Sequence, residues 1–397
     1  MNASARAEAA ARQGEWAVRP AVATDRGALG RVARRAFAPG FWPFLLPMLS
    51  KDTLVATDAA GRIAGGAVLR TFRVGAERFG VVYWIFSDPE VQGAGAGKAL
   101  LDAALEWMRR RGCSRAVASV DGYNSRSWNL FHGRGFRFWP ACRQWAQLGR
   151  SWPALWWGSF HLLDVGNFLL ERKLANGPCL AADAHARGPL AVSTVDAGYA
   201  VAGTVLPFWL VLWLRGLPGV EALGDMSLAG PAYALAAAVV ATAYLVAGLA
   251  AQAAAAGPGG RRPFLFRAWD TGPLLATLVA VAFGGFLPAP GGWYDGASAT
   301  PRYTTPQARE LLGRMGLAGA AITLFLWAVS ILGRQSGTSL WSLLGRLGTV
   351  AGPGFALFYV LLFFPPFQAM PAAHLARWKP GAWALMVVAA IALAWVA

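Results

Sequence analysis

Cysteine and charged residues are both scarce in this sequence. Three cysteines, Cys113, Cys142 and Cys179, are scattered through 397 residues, and they show neither the density nor the spacing of a disulfide framework or a metal site. We therefore expect a reducing compartment. Only 14% of the residues are charged, against about 25% in an ordinary soluble domain. The 56% share of hydrophobic residues excludes intrinsic disorder.

The charge that is present is concentrated in the first part of the chain. Residues 1–150 hold 22 Lys and Arg against 11 Asp and Glu, within a net charge of +16 for the whole chain. A basic body of this kind suits an anionic membrane surface. Nucleic-acid binding is the competing interpretation of the charge, but the arginines are scattered and no known binding motif accompanies them. We therefore expect a lipid partner and no nucleic acid.

The second part of the chain contains six runs without any Asp, Glu, Lys or Arg. Each run has about the 18 to 20 residues that a helix needs to cross a bilayer. The sequence therefore predicts an all-α, multi-pass membrane domain of about six transmembrane helices. The runs are Ala197–Leu214, Met226–Gly260, Thr271–Tyr294, Met315–Gly333, Leu347–Ala376 and Pro380–Ala397.

Arginines between these runs predict how the chain is oriented. Arg261, Arg262 and Arg267 separate the second and third runs, and Arg334 and Arg346 separate the fourth and fifth. Because positive loops stay on the cytoplasmic side, we expect the amino-terminal domain in the cytosol and the protein in the cell membrane.

The predicted domain organisation has four parts. A segment rich in tryptophan and phenylalanine at the start of the third part is interrupted by polar residues, which favours a helix lying in the headgroup layer. Gly177–Pro189 has the composition of a linker. The parts are a disordered tail at 1–16, an α/β domain at 17–150, an interfacial amphipathic segment and linker at 151–191, and the helical membrane domain at 192–397.

A glycine-rich bend is the main functional signal in the α/β domain. An apolar strand predicted over Val81–Phe86 leads into the bend, whose letters are Gln-Gly-Ala-Gly-Ala-Gly-Lys, and a helix follows. Glycines let the backbone approach a phosphate, and the free amides and helix dipole favour negative charge. By itself such a bend is often only a turn. Its residues are Gln92, Gly93, Ala94, Gly95, Ala96, Gly97 and Lys98.

Two motifs resemble the GCN5-related N-acetyltransferase (GNAT) family. Gln92, Gly95 and Gly97 match the family's Gln-x-x-Gly-x-Gly coenzyme A loop, and Asn124 through Phe136 resembles its Asn-x-x-Ala-x-x-Leu-Tyr-x-x-x-Gly-Phe segment. The resemblance implies an α/β acyltransferase fold, with acetyl-CoA or another acyl-CoA as cosubstrate and an amine as acceptor.

The resemblance also implies which residues bind the cosubstrate. The pyrophosphate would lie on the amides of 93–98 with Gln92 at the loop entrance, and Asn124 would contact the pantetheine arm or a water. Backbone amides near Ile85 and Phe86 would stabilise the oxyanion. The chain departs from the family at Phe131, which stands where many members have a tyrosine that protonates the thiolate.

The general base and acid stay open at this stage. Asp88 is one of the carboxylates nearest the strand end, but it is also placed to cap the turn. His132 lies next to the vacant tyrosine position, although neighbouring residues on a helix point about 100° apart. Both are candidate catalytic residues. The four histidines lie far apart and lack ligand spacing, so we expect no metal.

The membrane part has a second resemblance, to the site-2 family of intramembrane metalloproteases. It rests on the order of several short segments, among them Ala289-Pro290-Gly291 and Arg377-Trp378. Ala247, Gly248 and Ala251 occupy the three functional positions of the family's His-Glu-x-x-His motif. Without imidazoles and a carboxylate, neither zinc ligands nor a general base exist there. The resemblance therefore implies an inactive protease-like domain.

Together these features predict a membrane-anchored acyltransferase that works on the cytosolic side. It would transfer an acetyl or other short acyl group from acyl-CoA to an amine. The alternative is a non-catalytic protein that senses acyl-CoA in its first domain and uses the membrane domain as a scaffold. Phe131 and the absent metal ligands favour this alternative.

Overall fold

The structure is a computed structural model that describes eight stretches of the chain: residues 16–37, 52–174, 190–217, 226–257, 264–295, 306–336, 339–364 and 367–397. It divides into two compact units. The first unit comprises Met1–Val120 and Arg126–Asp183, and the second comprises Asp121–Ser125 and Ala184–Ala397. Residues 1–15 of the predicted tail and the predicted linker Gly177–Pro189 lie outside the described residues.

The first unit is built on a seven-stranded mixed sheet in the order β1-β2-β3-β4-β5-β7-β6. Strands β1 to β4 pair antiparallel in sequence order, and β4 pairs parallel with β5. The strands are β1 (Ala17–Pro20), β2 (Thr53–Thr57), β3 (Ile63–Val74), β4 (Glu77–Ser87), β5 (Arg115–Asp121), β6 (Arg137–Phe138) and β7 (Asn167–Lys173).

Two helices pack on opposite faces of this sheet. Leu54 and Ala56 of β2 belong to the core with the long helix after the glycine-rich bend, whereas Val55 packs with the first helix. Since successive strand residues point to opposite faces, the two cores lie on the two sides of the sheet. The helices of this unit are α1 (Arg26–Ala36), α2 (Ala96–Arg110), α3 (Ser125–His132), α4 (Ala141–Leu148) and α5 (Trp152–Gly158).

The predicted interfacial segment differs from what the structure contains. Trp152–Gly158 is a short helix, as its composition indicates, but Asn167–Lys173 is strand β7, between β5 and β6. Phe168, Leu169 and Leu170 are fully buried there. The α/β unit therefore continues past residue 150, and these three apolar residues of the segment are core residues of the sheet, whereas Trp157 and Phe160 are exposed.

The second unit consists of helices and one small sheet. Strand β9 lies in the middle of the sheet, parallel to β8 and antiparallel to β10. The elements are β8 (Leu190–Val192), α6 (Thr194–Leu214), α7 (Met226–Ala256), β9 (Phe264–Ala268), α8 (Gly272–Phe283), β10 (Gly291–Asp295), α9 (Pro306–Arg334), α10 (Ser339–Ala356), a π-helical turn (Leu357–Leu361), α11 (Pro371–Trp378) and α12 (Pro380–Val396).

Four helical stretches among the described residues are long and apolar enough to cross a membrane, against the six that the sequence predicts. Helix α12 has 17 residues, just below the 18 to 20 or so that a helix needs to cross the bilayer. The third predicted run forms only the 12 residues of α8, about 18 Å of helix and well short of about 30 Å of hydrocarbon. The four stretches are Thr194–Leu214, Gly230–Ala256, Pro306–Arg334 and Leu340–Leu361.

The chain leaves the helical conformation after α8 for a local reason. Gly284 ends the helix in the left-handed conformation with φ +60°. Two prolines follow, and the backbone then enters β10 at Gly291. An uncharged composition therefore does not guarantee a continuous helix, because prolines and glycines interrupt the hydrogen-bond ladder.

Candidate active site

The candidate site begins where strands β4 and β5 part. Strand β4 pairs with β3 along its whole length, but its pairing with β5 runs only from Phe79–Arg115 to Val81–Val117. The register against β3 shifts because Val68 faces Trp84 and Leu69 faces Val82. Tyr83 is therefore an extra residue on β4, and a bulge of this kind bends and twists its strand. We call the gap between residues 82–87 of β4 and 118–120 of β5 the wedge.

The glycine-rich bend lies between the end of β4 and the start of α2. Gly93 and Gly95 have φ +94° and +96°, values that side chains disfavour. The first helical bond of α2 runs from the Ala99 amide to the Gly95 carbonyl at 3.0 Å. The amides that precede it at the helix start point away from the helix, where they and the helix dipole favour an anion.

The bend is open enough to receive a ligand. Gln92, Gly93 and Lys98 are exposed, while Ala96 is buried beneath them in the core. A Cβ atom added at Gly93 would have no neighbour within 4 Å. The predicted pyrophosphate site therefore has the exposed backbone and cationic side chain that a diphosphate requires.

The side chain of Trp16 is hydrogen-bonded to the backbone of the bend. Its indole Nε1 donates a 2.7 Å hydrogen bond to the carbonyl of Ala94, and the same nitrogen lies 3.7 Å from the position of a Cβ added at Gly95. The sequence places Trp16 in a disordered tail, because a single tryptophan before a strand has no spacing pattern. In the structure it fixes the backbone of the candidate phosphate loop.

Asp88 has the contacts of a turn cap. Its carboxylate accepts a 3.2 Å bond from the Glu90 amide and pairs with the Arg35 guanidinium of α1. Its own amide donates to the carbonyl of Ala64 at 2.7 Å. These contacts anchor the loop entrance, and they favour a structural role over proton transfer for this candidate.

His132 and Phe131 lie at the end of α3 and face different surroundings. His132 is exposed and its ring contacts Trp128, with 5.3 Å between the ring centroids. Phe131 is buried in the core and packs edge-on against Phe136, with centroids 4.9 Å apart. Phe131 therefore fills the core under α2.

Ile85 and Phe86 lie on the wedge side of β4. They pair with Ala67 and Gly66 of β3 and are beyond the last pair with β5. This is the location that a backbone oxyanion site requires, since strand amides that are not used in pairing can donate to an oxygen.

Asn124 is exposed in the turn after β5. Its backbone amide donates a hydrogen bond to the Asp121 carbonyl at 2.9 Å. This turn, Asp121–Ser125, is grouped with the second unit.

Tyr83 is a residue of the wedge that the sequence motifs do not identify. Its hydroxyl donates a 2.6 Å bond to the carbonyl of Gly158. Burial raises the pKa of Tyr83, with Arg70 opposing the shift. The phenol therefore stays protonated at neutral pH and acts as a donor.

The second unit has no room for a carboxylate at the position corresponding to the protease motif. A Cβ atom added at Gly248 would lie 2.5 Å from the hydroxyl of Tyr359, and one at Gly319 would lie 2.5 Å from the same ring. Tyr359 is fully buried. Among the described residues, no three His, Cys, Asp or Glu side chains come close enough to hold a metal.

Comparison with known proteins locates one matching region. Residues 37–136 match the model of the Acetyltransferase (GNAT) family. The amino-terminal unit contains a GNAT acetyltransferase domain. The predicted α/β fold of this unit is thereby confirmed, with the bend and the wedge inside the matched region.

Curated relatives match part of the chain. A mycothiol acetyltransferase of Salinispora arenicola is 39% identical over 90 residues, which is 22% of this chain and 29% of the relative. One from Beutenbergia cavernae is 42% identical over 57 residues, or 14% of this chain and 19% of the relative. The chain thus matches less than a third of the length of these relatives.

Two N-acetyltransferases are among the solved structures that match this chain. The PaiA N-acetyltransferase of Thermoplasma acidophilum in complex with coenzyme A is 17% identical, with a TM-score of 0.30, covering 40% of this chain and 99% of the other. The ribosomal-protein-S18-alanine N-acetyltransferase of Escherichia coli is 16% identical, with a TM-score of 0.31, covering 42% and 99%.

Proposed function

We propose that the protein transfers an acetyl or other short acyl group from acyl-CoA to an amine. The observation that carries the proposal is the open glycine bend at the start of α2, directly after the strand that parts from its neighbour. The bend offers amides to the diphosphate, and the wedge admits the thioester arm. The match of residues 37–136 to the acetyltransferase family supports the same reaction.

The chemistry makes three demands on the site. The acceptor nitrogen must be neutral to attack, the carbonyl oxygen must be stabilised as it becomes negative, and the thiolate must be protonated as it leaves. We assign the oxyanion to the backbone amide of Ile85. The amide of the other predicted residue, Phe86, is directed to β3, because the Asp88 amide bonds the Ala64 carbonyl and alternate residues of an antiparallel ladder bond the same partner strand. The diphosphate is assigned to the amides of Gly93 and of 95–98, with Gln92 at the entrance and Asn124 along the pantetheine arm; the Ala94 amide instead donates to the Val91 carbonyl at 3.1 Å. Asp88 shapes the loop through its cap and its ion pair with Arg35.

The acceptor is an amine whose wider structure the site does not specify. The matched relatives carry the name mycothiol acetyltransferase, but the match covers less than a third of their length. From these relatives we take only the type of group transferred, and a panel of amines identifies the acceptor.

We further propose that the second unit anchors the enzyme in the cell membrane with the acetyltransferase domain in the cytosol. Four stretches of sufficient length and apolarity support the anchoring, and the arginines between the apolar runs support the orientation. An inactive protease-like ancestry is consistent with Ala247 and Gly248, since these residues supply no metal ligand and Tyr359 fills the space beside Gly248.

A non-catalytic acyl-CoA sensor is the second candidate function. Phe131 favours it, because this residue replaces the tyrosine of many GNAT enzymes and is 2% exposed in the core. A sensor would bind acyl-CoA through the same bend but would not release the thiol.

A thiol-release assay distinguishes the two functions. The detergent-solubilised full chain would be incubated with acetyl-CoA and a panel of amines that includes peptide amino termini, lysine side chains and small amphipathic amines. We expect thiol release above the hydrolysis blank with at least one amine, together with the acetylated product by mass spectrometry. Saturable acetyl-CoA binding without release for any amine would contradict the enzyme proposal and favour the sensor.

A further inference from the structure

Three polar side chains that the sequence motifs do not identify form a partly buried group beside the wedge. The hydroxyl of Ser119 on β5 lies 2.9 Å from Nδ1 of His161, and the side chain of Asp164 also hydrogen-bonds to Ser119. His161 is fully buried, and Ser119 is half-buried. We call Ser119, His161 and Asp164 the polar group.

The position of Ser119 on β5 places the polar group at the wedge. Ser119 is two residues beyond Val117, the last β5 residue that pairs with β4, and Tyr83 is two residues beyond the paired Val81. Ala118 and Val120 belong to the core under α2. Because strand side chains alternate, Ser119 points to the face of the sheet opposite α2.

One loop contacts both edges of the wedge on that face. Gly158 accepts the hydrogen bond from Tyr83 of β4, and His161 contacts Ser119 of β5. Phe160, between them, packs against the Tyr83 ring with centroids 5.3 Å apart. The bend that would hold the diphosphate belongs to the α2 face, so this loop borders the face from which a second reactant reaches the thioester.

The backbone conformation of Phe160 accompanies opposite surroundings for its own side chain and for that of His161. Its φ of 57° is left-handed, an uncommon conformation for a residue other than glycine. With this turn, Phe160 is 44% exposed while the next side chain, His161, is fully buried against Ser119. Strain of this kind persists only where the surroundings hold it, and it is concentrated at functional loops.

The hydrogen-bonding capacity of the polar group allows it to accept a proton. A serine hydroxyl has one proton and can both donate and accept. When His161 is neutral, the hydroxyl can donate to Nδ1. When His161 is charged, Nδ1–H donates to the hydroxyl, which turns its own proton to the Asp164 carboxylate. Burial raises the pKa of the Asp164 carboxyl, against the opposing effects of Ser119 and His161.

We propose that the polar group is the proton acceptor for the acetyl acceptor amine, with Ser119 as the residue that touches the substrate. The inference rests on the proposed acetyl transfer. His161 and Asp164 are positioning residues that act through Ser119. His161 holds the proton, and Asp164 stabilises the resulting imidazolium across the hydroxyl.

The proton and electron balance of the step is complete. The substrate ammonium gives one proton to the Ser119 oxygen while the Ser119 proton moves to Nδ1 of His161. The freed nitrogen lone pair forms the bond to the thioester carbonyl carbon. The carbon–sulfur bond then breaks, and its electron pair leaves with the sulfur, which takes the second proton from the nitrogen. His161 afterwards releases its proton to water, which restores the group.

The test uses Ser119→Ala and His161→Asn in the full-length protein. Asparagine keeps an amide close to the Nδ1 position but does not protonate near neutral pH. Ser114→Ala is the matched control, since it removes a hydroxyl that lies just before β5 and donates to Glu77 at 2.8 Å. Each variant is first shown to melt cooperatively and to gain thermal stability with acetyl-CoA.

We expect kcat to fall by about 10²- to 10⁴-fold in both test variants, the usual contribution of general acid–base catalysis. The KM for acetyl-CoA should stay unchanged, and the acidic limb of the kcat/KM profile should flatten or shift. The elements packed around the His161 loop carry three other titratable or charged groups, namely Asp164, Tyr83 and the Arg70 beside Tyr83. A Ser114→Ala protein should match the wild type.

The outcomes separate this inference from the proposed function. Two outcomes would overturn the relay alone. One is a Ser119→Ala protein that turns over as fast as the wild type. The other is a His161→Asn protein whose turnover falls while its pH profile stays that of the wild type. An absence of wild-type turnover with every amine would overturn the proposed function and the relay together. Should His161→Asn fail to fold, Ser119→Ala decides, because it removes only a hydroxyl.

Discussion

A single indole distinguishes the bend in this protein from a glycine-rich turn that is free to rearrange. The bond from Trp16 to the Ala94 carbonyl joins residues that are 78 positions apart. It fixes one peptide of the bend while leaving the amides that follow Gly95 available. Preorganisation of this kind reduces the ordering cost of binding a diphosphate.

Trp16→Phe should weaken acetyl-CoA binding without unfolding the protein. The ring is kept, and the lost hydrogen bond has a net value of about 1 kcal/mol, or roughly fivefold in Kd. Isothermal titration of the full chain measures the change. Trp145→Phe is the control, since this tryptophan is 66% exposed. Equal affinities in the wild type and Trp16→Phe would contradict the role of the indole.

At this scale the sequence predicts the bend and the turn cap at Asp88 but not the residues held by distant contacts. The spacing of Gln92, Gly95 and Gly97 is a local pattern, and the cap of Asp88 on the Glu90 amide is local too, so both can be recognised without coordinates. Trp16 and His161 act through partners on other elements. The contact of His161 with Ser119 spans 42 positions, and no spacing rule connects them.

In the first unit, a strand with a local sequence pattern can be predicted, whereas a strand whose place depends on distant pairing cannot. Strand β4, Glu77–Ser87, contains the predicted Val81–Phe86 and extends further at both ends. Strand β7 is missed because its place between β5 and β6 depends on a return of the chain across the sheet. Its apolar residues Phe168, Leu169 and Leu170 end a segment with the composition of a membrane interface, but tertiary packing buries them.

Ending the first unit at residue 150 should therefore prevent it from folding. Such a fragment lacks β7, which carries Glu171, and it loses the 2.7 Å ion pair between Glu171 and Arg115 of β5. Leaving a buried guanidinium short of a partner and exposing the buried strand face are both costly. We expect residues 1–174 to melt cooperatively and residues 1–150 to give no cooperative transition by circular dichroism. Identical melting of the two fragments would contradict the assignment of β7.

At the scale of the whole chain, the proposed function requires an acetyltransferase domain in the cytosol and a helical unit in the membrane. Composition identifies the apolar runs, but it does not determine which of them are continuous helices. The run that contains α8 shows why, since its glycines and prolines turn the chain into β10. Within the part of the chain that the structure describes, four stretches have the length and apolarity of a span.

The proposed orientation predicts which side of the membrane Cys142 faces. This cysteine is exposed, whereas Cys113 is buried. In a Cys179→Ser variant, a membrane-impermeant maleimide should label Cys142 only after the cells are permeabilised. Mass spectrometry of the labelled peptide gives the readout. Labelling in intact cells would place the acetyltransferase domain outside and separate it from the cytosolic supply of acyl-CoA.

The most direct test of the account is the thermal shift of the full chain with acetyl-CoA in two matched glycine variants. Gly95 and Gly112 both have positive φ, +96° and +70°, so a glutamate at either one carries similar backbone strain. Only Gly95→Glu places a carboxylate in the bend. At about 100 times Kd the ligand stabilises the fold by about 2.7 kcal/mol, which should raise the melting temperature of the wild type and Gly112→Glu but not of Gly95→Glu. An equal rise in all three proteins would contradict the claim that this bend binds the diphosphate.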